Sequence, residues 1–237
     1  MWARAAADLV IGAACSGCGR GGYIICSRCR HDLRPGPRQV TLAPAPDELT
    51  IPVWAAGPYR SPLRGALVDF KEHGKFSLLD ILAHVMAAAV AAAAAANPSV
   101  TLVPVPSRPL MRVRRGYDVV AELASGAAAV LRDTGLDARV LPGLSLARAV
   151  RDQGSLTGRQ RRRNIDGAMR ARRHLRAEPT IIVDDIVTTG STAAEAVRAS
   201  RVVGVRPVAI ATIATPAQQW HRRAEPEPDG ISGSNGR

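Results

Sequence analysis

The stretch Thr180-Ile-Ile-Val-Asp-Asp-Ile-Val-Thr-Thr-Gly-Ser-Thr192 decides how this chain is read. Ile181 to Val183 is a short apolar run, the pattern of a strand buried on both faces. Asp184 and Asp185 follow at its carboxyl end, where open α/β sheets bind ligands. Thr188, Thr189, Gly190, Ser191 and Thr192 then lead into a helix that starts near Ala193. Small hydroxyl residues around a glycine at a helix N-terminus make an anion site, because backbone N–H groups and hydroxyls converge there and the helix dipole favours negative charge. Gly190 lets the backbone approach a phosphate closely. The two carboxylates lie one short loop away, so they suit another part of the same ligand. They accept hydrogen bonds from a sugar diol, and they can help hold a hydrated Mg²⁺. A phosphate at one end and a diol at the other describe a ribose 5-phosphate. No Gly-Lys-Ser/Thr follows, so the loop is not of the Walker type. The bland alternative is a capped helix after a buried strand, with both acids solvated.

Outward from this stretch, strands alternate with helices. Val100 to Val105 is a strand running into the loop Pro104-Val-Pro-Ser-Arg108, with Arg112, Arg114 and Arg115 close behind. The spacing predicts helices over Ser61–Gly74, Phe76–Ala96, Tyr117–Arg132 and Gly190–Val203, a strand over Val205–Thr215 and a short strand within Gly135–Ala147. Leu156 to Arg163 is very basic and reads as helical or flexible. Alternation of this kind implies a parallel α/β sheet covered on both faces. Four segments result: 1–34, an N-terminal helix and a cysteine module; 35–60, a proline-rich linker and an extended segment; 61–216, the α/β domain; 217–237, a polar tail expected to be disordered.

The chain has 237 residues, 46% hydrophobic and 22% charged, which excludes wholesale disorder and a coiled coil. Aromatics are only 3%, too few for an extensive base-stacking platform. The formal charge is +12, and 16 Arg against 6 acids between Arg108 and Arg176 carry most of it. Such a surplus suits a polyanionic partner, nucleic acid or a phosphorylated small molecule, or else reflects a compositional bias of Arg over Lys. Asp8 interrupts the apolar N-terminus, and the Ala-rich run Ile81–Ala96 is short for a membrane span and carries His84. The expected location is the cytoplasm, without membrane insertion.

Cys15-Ser-Gly-Cys18 and Cys26-Ser-Arg-Cys29 are two C-x-x-C knuckles, able to offer four thiolates to one tetrahedral ion. Structural Zn²⁺ is the preferred reading, since four thiolates leave no open position for water. Two disulfides or an iron–sulfur cluster are the alternatives.

The Thr180–Thr192 stretch resembles, nearly residue for residue, the signature of type I phosphoribosyltransferases. The resemblance implies that Asp184 and Asp185 hold the ribose hydroxyls of phosphoribosyl pyrophosphate (PRPP), and that Thr188, Thr189, Gly190, Ser191 and Thr192 hold its 5-phosphate. Ser107 and Arg108 match the loop that receives pyrophosphate, and Arg115 suits the same leaving group, although Arg residues here also suit a solvated surface. Joined to an N-terminal double C-x-x-C, the signature resembles the ComF family. Phe70-Lys71-Glu72-His73-Gly74, Val103-Pro-Val-Pro106, Arg114-Arg-Gly-Tyr-Asp118, the run Gln153, Leu156, Arg161, Asn164, and Gly167-Ala-Met169 all resemble family motifs. Asp118-Val119 stands where that family often has Asn-Gln, and Val150 where Thr is usual.

The resemblance implies a type I phosphoribosyltransferase fold with a small N-terminal zinc ribbon built on the four cysteines. It implies Mg²⁺ with PRPP and a catalytic role for Asp184, Asp185 and Arg108. It also implies a link to DNA uptake in competence, with a helicase-like ATPase as partner. Two functions follow: a Mg²⁺-dependent transferase of ribose 5-phosphate with an unknown acceptor, or a non-catalytic PRPP- or nucleotide-binding module that docks the ATPase or single-stranded DNA. Lys71 reads as a further phosphate contact or a solvated helix residue. Arg148 to Asn164 reads as a loop able to close over the site. Trp54, Tyr59 and Tyr117 are acceptor-stacking candidates or core.

Overall fold

The computed structural model describes residues 14–43, 45–46, 49–95, 97–147, 165–172 and 179–220. The expected N-terminal helix, the 148–164 loop with its motif residues, and the tail beyond residue 220 lie outside the described residues.

The elements run α1 (Ser27–Asp32), β1 (Arg38–Gln39), β2 (Val53–Pro58), α2 (Leu63–His73), a single 3-10 turn (Phe76–Leu78), α3 (Leu79–Ala94), β3 (Ser99–Pro104), α4 (Pro109–Arg115) and α5 (Val119–Asp133). They continue with β4 (Asp137–Val140), β5 (Leu144–Leu146), β6 (Met169–Ala171), β7 (Thr180–Ile186), α6 (Ser191–Val202), β8 (Ala209–Thr215) and α7 (Ala217–Trp220). Six strands form one sheet in the order β1-β2-β8-β7-β3-β4. All its pairings are parallel except β1 with β2. The sheet is therefore the parallel α/β architecture read from the sequence.

Strand pleat sorts the core into two layers. Ile181 and Val183 of β7 join Leu102, Ala211 and Ile213 under α3 and α5. Ile182, one residue out of phase, joins Val53, Val103 and Ile210 under α6. The Phe76–Ala94 stretch is long and apolar enough to cross a membrane by length and composition alone, but half of it is buried inside the protein. Leu82, Met86, Ala89 and Val90 fill the first core layer, so the stretch serves as a core helix.

Several boundaries differ from the sequence reading. The stretch Gly135–Ala147 holds two strands, not one, and β5 pairs antiparallel with β6 in a separate ribbon. α4 forms where only an Arg-rich loop is legible: Pro109 occupies the first helical position, Gly116 ends it in the left-handed region, and none of its residues is buried. The extended segment before residue 60 enters the main sheet as β2, parallel to β8. The expected tail starts with a helical turn, α7.

From β3 the chain crosses through α5 to β4 on one side, and from β7 through α6 to β8 on the other. The carboxyl ends of β3 and β7, which are neighbours in the sheet, are thus the point where the connections diverge. Open α/β sheets bind ligands there.

Candidate functional site

At that divergence lies a cleft of about 590 Å³, within the range of small-molecule sites. Asp184, Asp185, Thr188 and Thr192 line it from the β7 side, and Ser107 and Arg108 from the β3 side. Lys71 and Glu72 of α2 and Arg114 and Arg115 of α4 complete its polar lining. The structure thus brings Asp184, Asp185, Thr188, Thr192, Ser107, Arg108 and Arg115 to one cavity. Thr189, Gly190 and Ser191 line a concavity of about 20 Å³ beside it, together with Asp184, room for one small polar group.

Pleat separates the paired acids. Asp185 is in phase with Val183 and points to the face carrying α2, where its carboxylate pairs with the Lys71 ammonium. Asp184 is in phase with Ile182 and faces the side of α6 and the Thr-rich loop. Its Oδ1 accepts the Asp185 N–H at 2.8 Å. Burial, reinforced by the adjacent Asp185 carboxylate, pushes the Asp184 pKa well above the ordinary carboxylate value. Burial opposes the Lys71 charge, but Asp185 and then Asp184 outweigh it and raise the Lys71 pKa. The acid pair, Asp185 buried and Asp184 half-buried at the cleft with Lys71 against them, is an oxygen set suited to diol hydroxyls or a hydrated divalent cation.

The loop owes its shape to Gly190, whose φ is +75°. A Cβ there would lie 2.6 Å from Leu42 and 2.8 Å from Leu49. Those leucine methyl groups can move aside, so the left-handed backbone angle is the main reason the position holds glycine. Thr189 and Ser191 hydroxyls bond each other at 3.0 Å, and Gln219 of α7 donates to the Thr188 carbonyl at 2.9 Å.

On the opposite wall, Asp118 organises the loop. Its carboxylate accepts the Ser107 N–H at 3.1 Å and the Ser107 hydroxyl at 2.9 Å. The same carboxylate accepts the Ala121 N–H at 3.4 Å, capping α5. The Asp118 carboxylate, an acceptor only, thus meets three donors. Arg115, with 14% side-chain exposure, pairs with Glu72 at 2.5 Å. α2 thus reaches both walls, with Lys71 on Asp185 and Glu72 on Arg115. Tyr117 packs on Phe70 and Phe76 and donates its hydroxyl to the Phe70 carbonyl at 2.5 Å. Trp54 and Tyr59 pack against the same core layer. These aromatics are structural. The rest of the cleft lining, including Val119, Val120, Leu146, Ile165 and Met169, is apolar.

The Sγ atoms of Cys15, Cys18, Cys26 and Cys29 all lie within 4.8 Å of one another. Tetrahedral zinc with bonds near 2.3 Å spaces its sulfurs about 3.8 Å apart, and Cys18 and Cys26 are 3.7 Å apart. All four thiols are free. Burial pushes the Cys15 thiol up, but amides of Cys26, Cys18 and Gly17 outweigh it and lower its pKa to about 6, favouring the thiolate a metal needs. Burial and the neighbouring thiols push the Cys29 pKa up. The four cysteines fit a zinc ion. The module rests directly on α2: a Cβ at Gly65 would lie 1.8 Å from the Ser16 carbonyl oxygen, and the Ser61 hydroxyl donates to the Gly17 carbonyl at 2.5 Å.

Sequence reasoning missed Glu72, Asp118 and Glu195 as organising residues, and placed Lys71 on phosphate or in solvent. Glu195, 4% exposed, accepts the Met169 N–H at 2.7 Å and pairs with Arg198 at 2.6 Å, fastening the β5–β6 ribbon to α6. A charged residue within the apolar face of a helix is the one signal that could have found it.

Residues 78–232 match the family described as the phosphoribosyl transferase domain. A search of curated proteins returns no match.

Proposed function

The chain belongs to the phosphoribosyl transferase domain family, and on that premise we propose that it binds PRPP in the β3/β7 cleft and transfers its ribose 5-phosphate to an acceptor. The observation that carries this reading is the convergence of Asp184, Asp185 and the Thr188–Thr192 loop at the end of β7, facing Ser107 and Arg108 at the end of β3. The loop amides and hydroxyls at the start of α6 hold the 5-phosphate, and Asp184 and Asp185 hold the ribose hydroxyls. Binding energy from the non-reacting phosphate orients the sugar. In the transfer, the bond from the anomeric carbon to pyrophosphate oxygen breaks and a bond to the acceptor forms, while the acceptor loses its proton. On this reading the carboxylates also support the positive charge that develops on the ring. Arg108 and Arg115 receive the leaving pyrophosphate, and Arg115 exchanges its Glu72 partner to do so. The acid pair fits Mg²⁺, which when bound neutralises pyrophosphate charge.

The four-cysteine module, the Phe70–Gly74 and Arg114–Asp118 motifs and the phosphoribosyl transferase match together support membership of the ComF family, with zinc as a structural ion. That membership in turn supports a role in DNA uptake beside a helicase-like ATPase, in the cytoplasm. A second reading has a specific observation behind it. Among the described residues, the wall of Val119, Val120, Leu146, Ile165 and Met169 presents no polar side chain to read an acceptor, which suits a module that binds PRPP without transferring it.

Calorimetric titration of zinc-loaded protein with PRPP and Mg²⁺ tests the site, with Asp184→Asn/Asp185→Asn as control. Binding lost in the control supports the site, and pyrophosphate release with an acceptor then separates transfer from binding alone. A folded protein that gives neither heat nor a thermal shift with PRPP refutes both readings.

A further inference from the structure

A second cleft, of about 440 Å³, opens at the outer edge of the main sheet and shares no lining residue with the first. Its floor is apolar and buried: Ala56 of β2, Leu63 of α2 and Val85 of α3. Its rim is cationic, formed by the exposed side chains of Arg34, Arg38 and Arg60. None of the three pairs with a carboxylate among the described residues. One acid, Asp32, also lines the cleft, and it sits 3.5 Å from His31.

The Arg38 guanidinium lies over the Trp220 ring, 5.0 Å from its centroid. The ring quadrupole attracts the guanidinium and holds its charge at the cleft rim. Trp220, itself packed on the second core layer, therefore positions the Arg38 charge beside the cleft. Three guanidinium groups around one cavity call for an anion with several acceptor oxygens. The volume and apolar floor call for a body larger than inorganic phosphate. A planar base beside Trp220, with its phosphates on the three Arg residues, meets both demands.

We propose that the Arg34/Arg38/Arg60–Trp220 cleft is a binding site for a nucleoside phosphate, separate from the β3/β7 cleft. It opens at the same end of the sheet, because Gly57 is level with Ala214 and Ala214 with Ile186. β2, which lines this cleft, and β7, which lines the first, lie two strand spacings apart, roughly 10 Å. They are also joined covalently, since Gln219, which bonds the Thr188 carbonyl, immediately precedes Trp220. The proposal does not depend on what occupies the β3/β7 cleft.

The test is calorimetric titration of the full zinc-loaded chain with ADP in Mg²⁺-free buffer. Two double variants are compared, Arg38→Ala/Arg60→Ala and Asp184→Asn/Asp185→Asn. The expected result is ADP binding weakened by at least about tenfold in the Arg variant, the loss of charge-assisted contacts, and unchanged in the acid variant. The Arg side chains are exposed, so their removal leaves the fold intact. A second substitution, Trp220→Leu, should weaken ADP more than inorganic pyrophosphate, because only ADP carries the base. The proposal is overturned if ADP gives no heat, if the acid variant changes binding while the Arg variant does not, if pyrophosphate binds as tightly as ADP, or if a single-stranded oligonucleotide binds and ADP does not.

Discussion

Replacing Asp184 with Asn should stabilise the folded protein while abolishing PRPP binding. The carboxylate meets one N–H donor among the described residues, the Asp185 amide at 2.8 Å. The cation against the pair, Lys71, is committed to Asp185. Burial, and then the Asp185 charge, raise the Asp184 pKa, so the folded chain retains a proton that the unfolded chain has released. Stability therefore falls as pH rises from the ordinary carboxylate value through the raised one. Asn keeps the shape and removes the charge. Relieving a functional-site charge of this kind is worth about 1–2 kcal/mol. In a protein of this size that raises Tm by about 2–4 °C for each kcal/mol. The assay is thermal unfolding of both proteins without Mg²⁺ or PRPP, from about pH 4 to 8. The gain should be near zero at the acid end, where Asp184 is protonated in both states, and should grow as pH rises. An Asn variant less stable than the parent at neutral pH, or a difference that does not vary with pH, would refute the reasoning.

Three further outcomes are expected. Lys71→Met leaves Asp185 without its counter-ion and should cost about 1–3 kcal/mol in urea unfolding, reduced from a fully buried pair because Lys71 is 25% exposed. Since the Lys71 pKa is raised by folding, the parent's advantage should hold at neutral pH and disappear only in strong alkali, as pH rises through the raised value. Gly190→Ala must place a Cβ 2.6 Å from Leu42 at φ +75°; a loss of about 1–3 kcal/mol with weakened phosphate binding is expected, and unaltered melting would show that the loop tolerates a side chain. Metal analysis should find one zinc per chain, lost on Cys29→Ser or with a strong chelator and accompanied by a lower Tm; equal melting with and without chelator would rule out a structural metal.

How much of this was readable in the chain varies by residue. Ile181–Val183 announced a buried strand, and the acids and hydroxyls after it announced a ligand site, because a parallel strand and a helix start each leave a local signature in a few consecutive residues. The double C-x-x-C did the same for the metal module, since the spacing within each knuckle is itself the coordination geometry. Gly74, too, ended its helix where its position in the chain said it would.

Other features depended on contacts between distant segments. Nothing local in Phe70-Lys-Glu-His-Gly74 indicates that Lys71 meets Asp185 or that Glu72 meets Arg115, because those partners lie far along the chain. Asp118 falls at the start of the helix expected over Tyr117–Arg132, but its bonds to Ser107 appear only when α5 and the β3 loop are brought together. β5 and β6 are each three residues long, too short to carry a periodic signal, and they form because each supplies the other's hydrogen bonds. The chain's own order of residues thus determined the strand-to-helix anion loop, the parallel sheet and the thiol cluster, all of which are set by neighbours in sequence. Tertiary packing alone decided which charges oppose one another across the cleft and which arginines gather at the sheet edge, because charge pairing depends on distance in space.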